Sequence, residues 1–147
     1  MMMDRQIKGY LGEQRTAEIF LEYGWDVNAP LIESTEYDLH VRKGDCHQYV
    51  QCKYRNVYRG AVQIENRRRR YRQNKVEEYD IQDRYNKKDI GIFSVYVPDI
   101  DKVLLIKSNE FDKTVSFRIK QNCRLTKAIR PATDYIEPEW LISGNLS

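Results

Sequence analysis

Asp38, Gln51 and Lys53 are the residues whose types and spacing suit chemistry at a phosphate. Residues 37–42 alternate strictly, with Tyr37, Leu39 and Val41 on one side and Asp38, His40 and Arg42 on the other. Residues 48–54 alternate as well. Val50, Cys52 and Tyr54 share one face, and Tyr49, Gln51 and Lys53 share the opposite one. Lys43, Gly44 and Asp45 between the two runs are turn chemistry, so the pair reads as an antiparallel hairpin. Pairing then brings Asp38, Gln51 and Lys53 onto one patch. A carboxylate and an amide oxygen suit a hard divalent cation such as Mg²⁺. Such a cation polarises a phosphate and lowers the pKa of a bound water. An ammonium beside it stabilises the charge that develops on phosphorus or helps to position the attacking water. The same alternation also describes an ordinary solvated hairpin, so the rest of the chain has to decide between the two.

Glu13 adds a second carboxylate. Asp4 suits a helix N-cap and Gly24 a stop, which predicts an amphipathic helix over 5–23 with Ile7, Tyr10, Leu11, Ala17 and Leu21 on its buried face. Glu13 lies at the border of that stripe, close to Ala17 and Phe20, where a carboxylate can face a sheet. A rim glutamate on an amphipathic helix is the commoner case.

Charge concentrates directly after Lys53. Residues 53–75 hold nine basic residues and one acidic residue, Glu65, a net charge of +8. The remaining 16 basic and 21 acidic residues leave the body at −5. One basic segment on an acidic body is the footprint of phosphate contact. Arg55, Tyr58, Arg59, Gln63, Arg67, Arg68, Arg69, Arg70, Arg72 and Lys75 are the candidate nucleic-acid contacts. Arginine reads guanine edges, glutamine and asparagine read adenine edges, and lysine and tyrosine hold phosphates. The competing readings are a solvated charge run or an import signal around Arg67–Arg70.

The other elements supply a frame. Trp25, Asp26 and Val27 predict a short strand. Residues 55–72 read as a second, exposed hairpin bending at Arg59-Gly60. Residues 73–88 form a short helix or an ordered loop. Residues 90–97 and 102–106 are buried-strand runs joined by the turn at Pro98 to Asp101, and 114–119 reads as an outer strand. The tail from Arg130 reads as irregular, with Trp140, Leu141 and Ile142 docking on the body or on another subunit. A helix followed by mostly antiparallel strands predicts an α+β or mixed α/β fold around one central sheet. At 147 residues, with no linker or internal repeat, the chain reads as one domain, 1–147, elaborated by the basic hairpin 55–72.

Composition excludes several classes. Charged residues are 32% of the chain and mean hydropathy is −0.75, which argues against a membrane span. No apolar leader precedes a cleavage-like site, so no signal peptide is read. Three cysteines, Cys46, Cys52 and Cys123, argue for a reducing, intracellular compartment. A zinc finger from His40, Cys46, His47 and Cys52 fails on its spacing.

The run of motifs resembles a known superfamily. Gly12-Glu13 with Ala17, Phe20 and Leu21, then Gly24 to Val27, then Tyr37-Asp38-Leu39, then Val50 to Tyr54, is similar to the PD-(D/E)XK nucleases. The run from Asp89 to Phe93 and on to Leu104–Ile106 is similar to the strands that follow the motif in the resolvase-like branch. The resemblance covers about 5–107. It implies that Glu13 and Asp38 are metal ligands, Gln51 a ligand or water-orienting group, and Lys53 the electrostatic or general acid–base partner. Gln51 stands where the family usually has Asp or Glu. The small chain, the Gln and the long basic hairpin resemble the intron-encoded homing endonucleases. That implies Mg²⁺-dependent, site-specific cleavage of double-stranded DNA by a homo-oligomer, a tetramer rather than a dimer, in the cytoplasm at the nucleoid. A Holliday-junction resolvase and a catalytically inactive DNA-binding module of the same fold are the alternatives.

Overall fold

The computed structural model describes residues 3–32, 36–66, 71–72, 75–76, 90–121 and 128–147, with 71–72 and 75–76 described as backbone. Helix α1 spans Arg5–Glu22, and the Asp4 carboxylate caps it by accepting the Ile7 N–H at 2.9 Å. Strands β1 (Asp26–Asn28), β2 (Leu39–Lys43), β3 (Cys46–Tyr54), β7 (Ile92–Val97) and β8 (Lys102–Lys107) form a five-stranded sheet in the order β1-β2-β3-β7-β8. Its pairings are antiparallel except β3 with β7, which run parallel. A second sheet takes the order β10-β9-β4, from β4 (Ala61–Glu65), β9 (Thr114–Arg118) and β10 (Ile129–Pro131). Among the described residues, strands β5 (Tyr71–Arg72) and β6 (Lys75–Val76) form a two-stranded sheet of their own. The architecture is the mixed α+β arrangement that the element order predicts.

Two apolar clusters cover the two faces of the large sheet. On one face α1 and the short helix α2 (Glu139–Ser143) bury Phe20, Trp25, Leu39, Val41, Val50, Ile92, Leu105, Trp140 and Leu141. On the other, the second sheet packs Val62, Ile64, Val115 and Phe117 against Phe93, Val95, Leu104 and Ile106. Strand β7 is buried along its whole length because both its faces are covered.

The helix buries a face different from the predicted one. Gly12, Thr16 and Phe20 are buried, whereas Ile7, Tyr10 and Leu21 are 50%, 61% and 58% exposed. Close approach explains the difference. A Cβ on Gly12 would stand 3.0 Å from the Lys53 carbonyl oxygen and 3.3 Å from its carbon, so only glycine lets the helix touch β3 there. Thr16 Oγ1 donates to the Gly12 carbonyl at 2.8 Å and pairs with Ser94 Oγ at 2.7 Å, which ties α1 to β7. A count of apolar residues does not register a contact made by a glycine and a hydroxyl. Gly12→Val should therefore destabilise the protein by about 1–3 kcal/mol, because the obstruction is backbone that cannot rotate away. Urea unfolding checks this, and an unchanged midpoint would mean that the helix can shift freely.

Three further expectations need correction. The 114–119 segment is the middle strand of the second sheet, since both β10 and β4 pair with it. The tail is not irregular: it supplies β10, a 3₁₀ turn at Ala132–Tyr135 and α2. Trp140 and Leu141 dock on the body, where the Trp25 indole N–H donates to the Leu141 carbonyl at 2.7 Å. Lys43 holds the same region by donating to the carbonyls of Tyr23 (2.6 Å) and Ile142 (2.8 Å). Finally, the bend at Arg59-Gly60 is present, with φ of 53° and 80° and a bridge from Tyr58 to Ala61. The strand after it, however, pairs with β9 and buries Val62 and Ile64 instead of folding back as an exposed hairpin. Residues 67–70, 73–74 and 77–89 lie outside the described residues, as do the side chains of 71, 72, 75 and 76.

Candidate active site

The β2–β3 hairpin forms, antiparallel as predicted. Leu39 pairs with Val50, and the Asp38 N–H donates to the Val50 carbonyl at 2.9 Å, which sets Asp38 beside Gln51. Glu13 reaches the same place from α1, because Gly12 lets that turn of the helix rest on β3. Glu13, Asp38 and Gln51 line one open cleft of about 450 Å³, together with Gln6, Gly9, Tyr10 and Cys52. Gln6, Gly9 and Tyr10 were not anticipated from the sequence. Their one signal was helical spacing of three, four and seven residues N-terminal to Glu13.

The electrostatics are those of a half-buried, mixed-charge patch. Burial raises the pKa of Asp38. The Cys52 N–H, which donates to Asp38 Oδ2 at 2.8 Å, a carboxyl–carboxyl hydrogen bond with Glu13 and the charge of Lys53 pull it back down. The Lys53 ammonium is pushed down to about 8, first by burial and then by Arg55, against the upward pull of Asp38 and Glu65. Gln51 Oε1 is buried and has no hydrogen-bond partner among the described residues. A buried amide oxygen without a partner costs free energy unless a ligand completes it. Cys52 takes no part as a thiolate. Burial drives its thiol pKa far up, and its side chain hydrogen-bonds toward Ser94 and Thr16.

These donors fit a hard divalent cation. All three are oxygens, two are carboxyl groups close enough to share a hydrogen bond, and the third is a carbonyl with no hydrogen-bond partner among the described residues. Among the described residues no three His, Cys, Asp or Glu side chains cluster in a metal-binding arrangement, so any third protein ligand beside Glu13 and Asp38 would have to be of another type, such as the Gln51 amide.

The predicted DNA contacts divide into two groups. Arg55 is half-buried, and its backbone N–H donates to the Tyr96 carbonyl at 3.0 Å, while its guanidinium donates to the Tyr54 carbonyl. Tyr58 is 72% exposed, with the Arg59 guanidinium 5.2 Å from its ring centre. Gln63 is the exposed position of β4. Arg67, Arg68, Arg69 and Arg70, and the side chains of Arg72 and Lys75, lie outside the described residues.

A second cleft of about 290 Å³ lies between α1 and the β7–β8 turn, lined by Arg15, Glu18, Glu22, Tyr96, Asp101 and Lys102 among others. Its polar groups bond to one another: the Tyr96 hydroxyl donates to Asp101 at 2.6 Å, and Arg15 pairs with Glu18 at 3.3 Å. It leaves no orphaned donor or acceptor of the kind seen at Gln51.

Glu13, Asp38 and Gln51 meet at one cleft, whose lining does not include Lys53, on a mixed α+β fold of the kind built by the PD-(D/E)XK endonucleases. The chain belongs to that family, which matches residues 3–138. Among solved structures it is similar to a bacterial homing endonuclease, I-Ssp6803I, with 19% identity over 92% of this chain and 90% of that one and a TM-score of 0.68. At that identity the likeness is one of fold. No curated protein matches the chain. Among the described residues no helix is long and apolar enough to cross a membrane.

Proposed function

We propose that this endonuclease is a site-specific double-stranded DNA endonuclease of the homing type. It hydrolyses phosphodiester bonds with Mg²⁺ or another divalent cation and acts as a homo-oligomer, a tetramer rather than a dimer. The buried, unpartnered Oε1 of Gln51 beside the two carboxyl groups carries the metal-dependent part of this reading. Glu13, Asp38 and Gln51 would hold the cation, which when bound polarises the phosphate and lowers the pKa of a water. The chain's own groups do the rest. The Cys52 N–H fixes the orientation of the Asp38 carboxylate. Glu13 supplies the negative charge that Gln51 lacks. Lys53, in its ammonium form, stabilises charge developing on the phosphate or orients the attacking water.

Binding follows from the layout. Among the described residues strand β4 is an edge of the second sheet, and the basic run of the sequence follows its end at Glu65. Arg55, Tyr58, Arg59 and Gln63 lead out from the lysine strand, and Arg67 to Arg70, Arg72 and Lys75 follow as the groups that hold and read the duplex. Within the single domain 1–147, residues 55–72 are thus the recognition elaboration. A near-palindromic target suits an oligomer with two-fold symmetry.

A plasmid carrying the uninterrupted host sequence around this gene's position tests the proposal. With Mg²⁺ the protein should yield one discrete linear product, and EDTA should abolish it. Binding without cleavage under Mg²⁺, Mn²⁺ or Ca²⁺ would overturn the nuclease reading in favour of a DNA-binding module. Smeared or branch-specific cutting would overturn the homing reading. Sedimentation of the same sample reports the oligomer.

A further inference from the structure

We propose that His40 and His47 form a second metal site, for a borderline transition cation such as Zn²⁺, Ni²⁺ or Cu²⁺, on the open face of the β2–β3 hairpin. The hairpin separates the four residues that a zinc-finger reading would combine. Cys46 and Cys52 pack into the apolar cluster beneath α1. His40 and His47 stand on the opposite face, where the register pairs His40 with Tyr49 and Arg42 with His47. The two histidines are therefore diagonal neighbours on a rigid pair of strands.

Their nitrogens are already at chelating separation. His40 Nε2 and His47 Nδ1 are 3.3 Å apart. Two imidazole nitrogens, each 2.0–2.1 Å from a tetrahedral Zn²⁺, stand ~3.3–3.4 Å apart, so a small rotation of each ring replaces the present N–H···N contact with a shared cation. The rings are held in place. His40 packs on Tyr49 with centroids 5.3 Å apart, and Tyr49 packs on Tyr37 at 4.5 Å. Arg42, the nearest cation along β2, is engaged by Asp26 across the β1–β2 pairing. His47 is exposed and His40 half-buried, so the cation's remaining positions face solvent and are open to water or to a phosphate oxygen.

Ligand chemistry separates this site from the cleft. Neutral imidazoles select borderline cations, whereas carboxylate and amide oxygens select hard ones. His40 is two residues from Asp38 along the chain, ~7 Å at the rise of a strand, so two ions do not compete for one position. The inference does not rest on the nuclease reading.

Calorimetric titration of the untagged full-length protein with Zn²⁺, in buffer saturated with Mg²⁺, is the test. One Zn²⁺ per chain is expected. His40→Gln and His47→Gln should each weaken it about tenfold or more, while Asp38→Asn leaves it unchanged. Cu²⁺ should bind more tightly than Ni²⁺ or Zn²⁺, and ¹⁵N spectra should show one nitrogen of each histidine shifted on binding. Thermal melts of both histidine variants check that they are folded. No Zn²⁺ uptake by the wild type would overturn the proposal. So would uptake that survives both histidine changes, or uptake that Asp38→Asn abolishes.

Discussion

Asp38→Asn should reduce metal-dependent cleavage by on the order of 10³-fold or more while the protein stays folded and still binds DNA. The change is nearly isosteric, and the amide oxygen can still accept the Cys52 N–H that Asp38 Oδ2 accepts at 2.8 Å. Only the charge is lost. That charge is costly to the fold, because burial holds the pKa of Asp38 above its ordinary 3.8. A carboxyl group raised in this way contributes stability below its unfolded pKa and loses that contribution as pH rises through the folded one. At neutral pH Asp38→Asn is therefore neutral or stabilising, and lost activity cannot be blamed on unfolding. Single-turnover cleavage of a labelled duplex measures the effect, with a gel shift in EDTA for binding and a thermal melt for folding. The stabilisation that Mg²⁺ gives the wild type should disappear as well, since it scales with occupancy of the site. Cleavage within tenfold of the wild type would show that Asp38 is not a principal ligand.

Lys53→Met should also damage cleavage, on the order of 10²–10³-fold, and should make the protein more stable. Burial and the neighbouring Arg55 push the Lys53 pKa down to about 8 from 10.5, so the fold disfavours this ammonium even with Asp38 and Glu65 nearby. Between about 8 and 10.5 the unfolded chain holds the proton and the folded chain has released it. Wild-type stability should therefore rise with pH across that window, by at most ~1.4 kcal/mol per unit. Lys53→Met should flatten that part of the curve and raise stability at pH 7 by about 1–3 kcal/mol. Urea titrations at a series of pH values compare the two proteins directly. A residue that costs stability where it stands and is needed for the reaction is the usual signature of a functional group. If Lys53→Met lowers stability instead, the lysine is a structural ion-pair partner, and its place in the site would have to be given up.

How much of this was legible beforehand differs from element to element. The β2–β3 and β7–β8 hairpins were, because strands that meet across a short turn pair locally and a period of two assigns every side chain to a face. The register that sets Leu39 opposite Val50 came from the fold, whereas the face that Asp38 shares with Gln51 and Lys53 follows from that rule. The parallel pairing of β3 with β7 did not, since 37 residues separate Tyr54 from Ile92 and nothing local selects it. The partnership of β4 with β9 was hidden for the same reason, and Val62 and Ile64 looked weakly apolar until a second sheet covered them. The buried face of α1 was misjudged because its key residues, Gly12 and Thr16, are small or polar, and their fitness for that place depends on what lies opposite.

The residue types on their own therefore pointed to a chemistry, beside the blander reading of a solvated hairpin: oxygen donors for a hard cation, a lysine two residues after the amide, and a basic run to hold a polyanion. Folding decided everything that depends on contact between distant segments. It brought Glu13 to the cleft through the bare backbone of Gly12, and it half-buried Asp38 and Lys53 so that each departs from its ordinary pKa. Among the described residues it left the Gln51 oxygen without a hydrogen-bond partner. It also turned two cysteines inward and two histidines outward, separating a set of four whose spacing already argued against a zinc finger. The physical reason is common to all of these: local alternation is written in neighbouring residues, whereas desolvation and close approach exist only once remote surfaces meet.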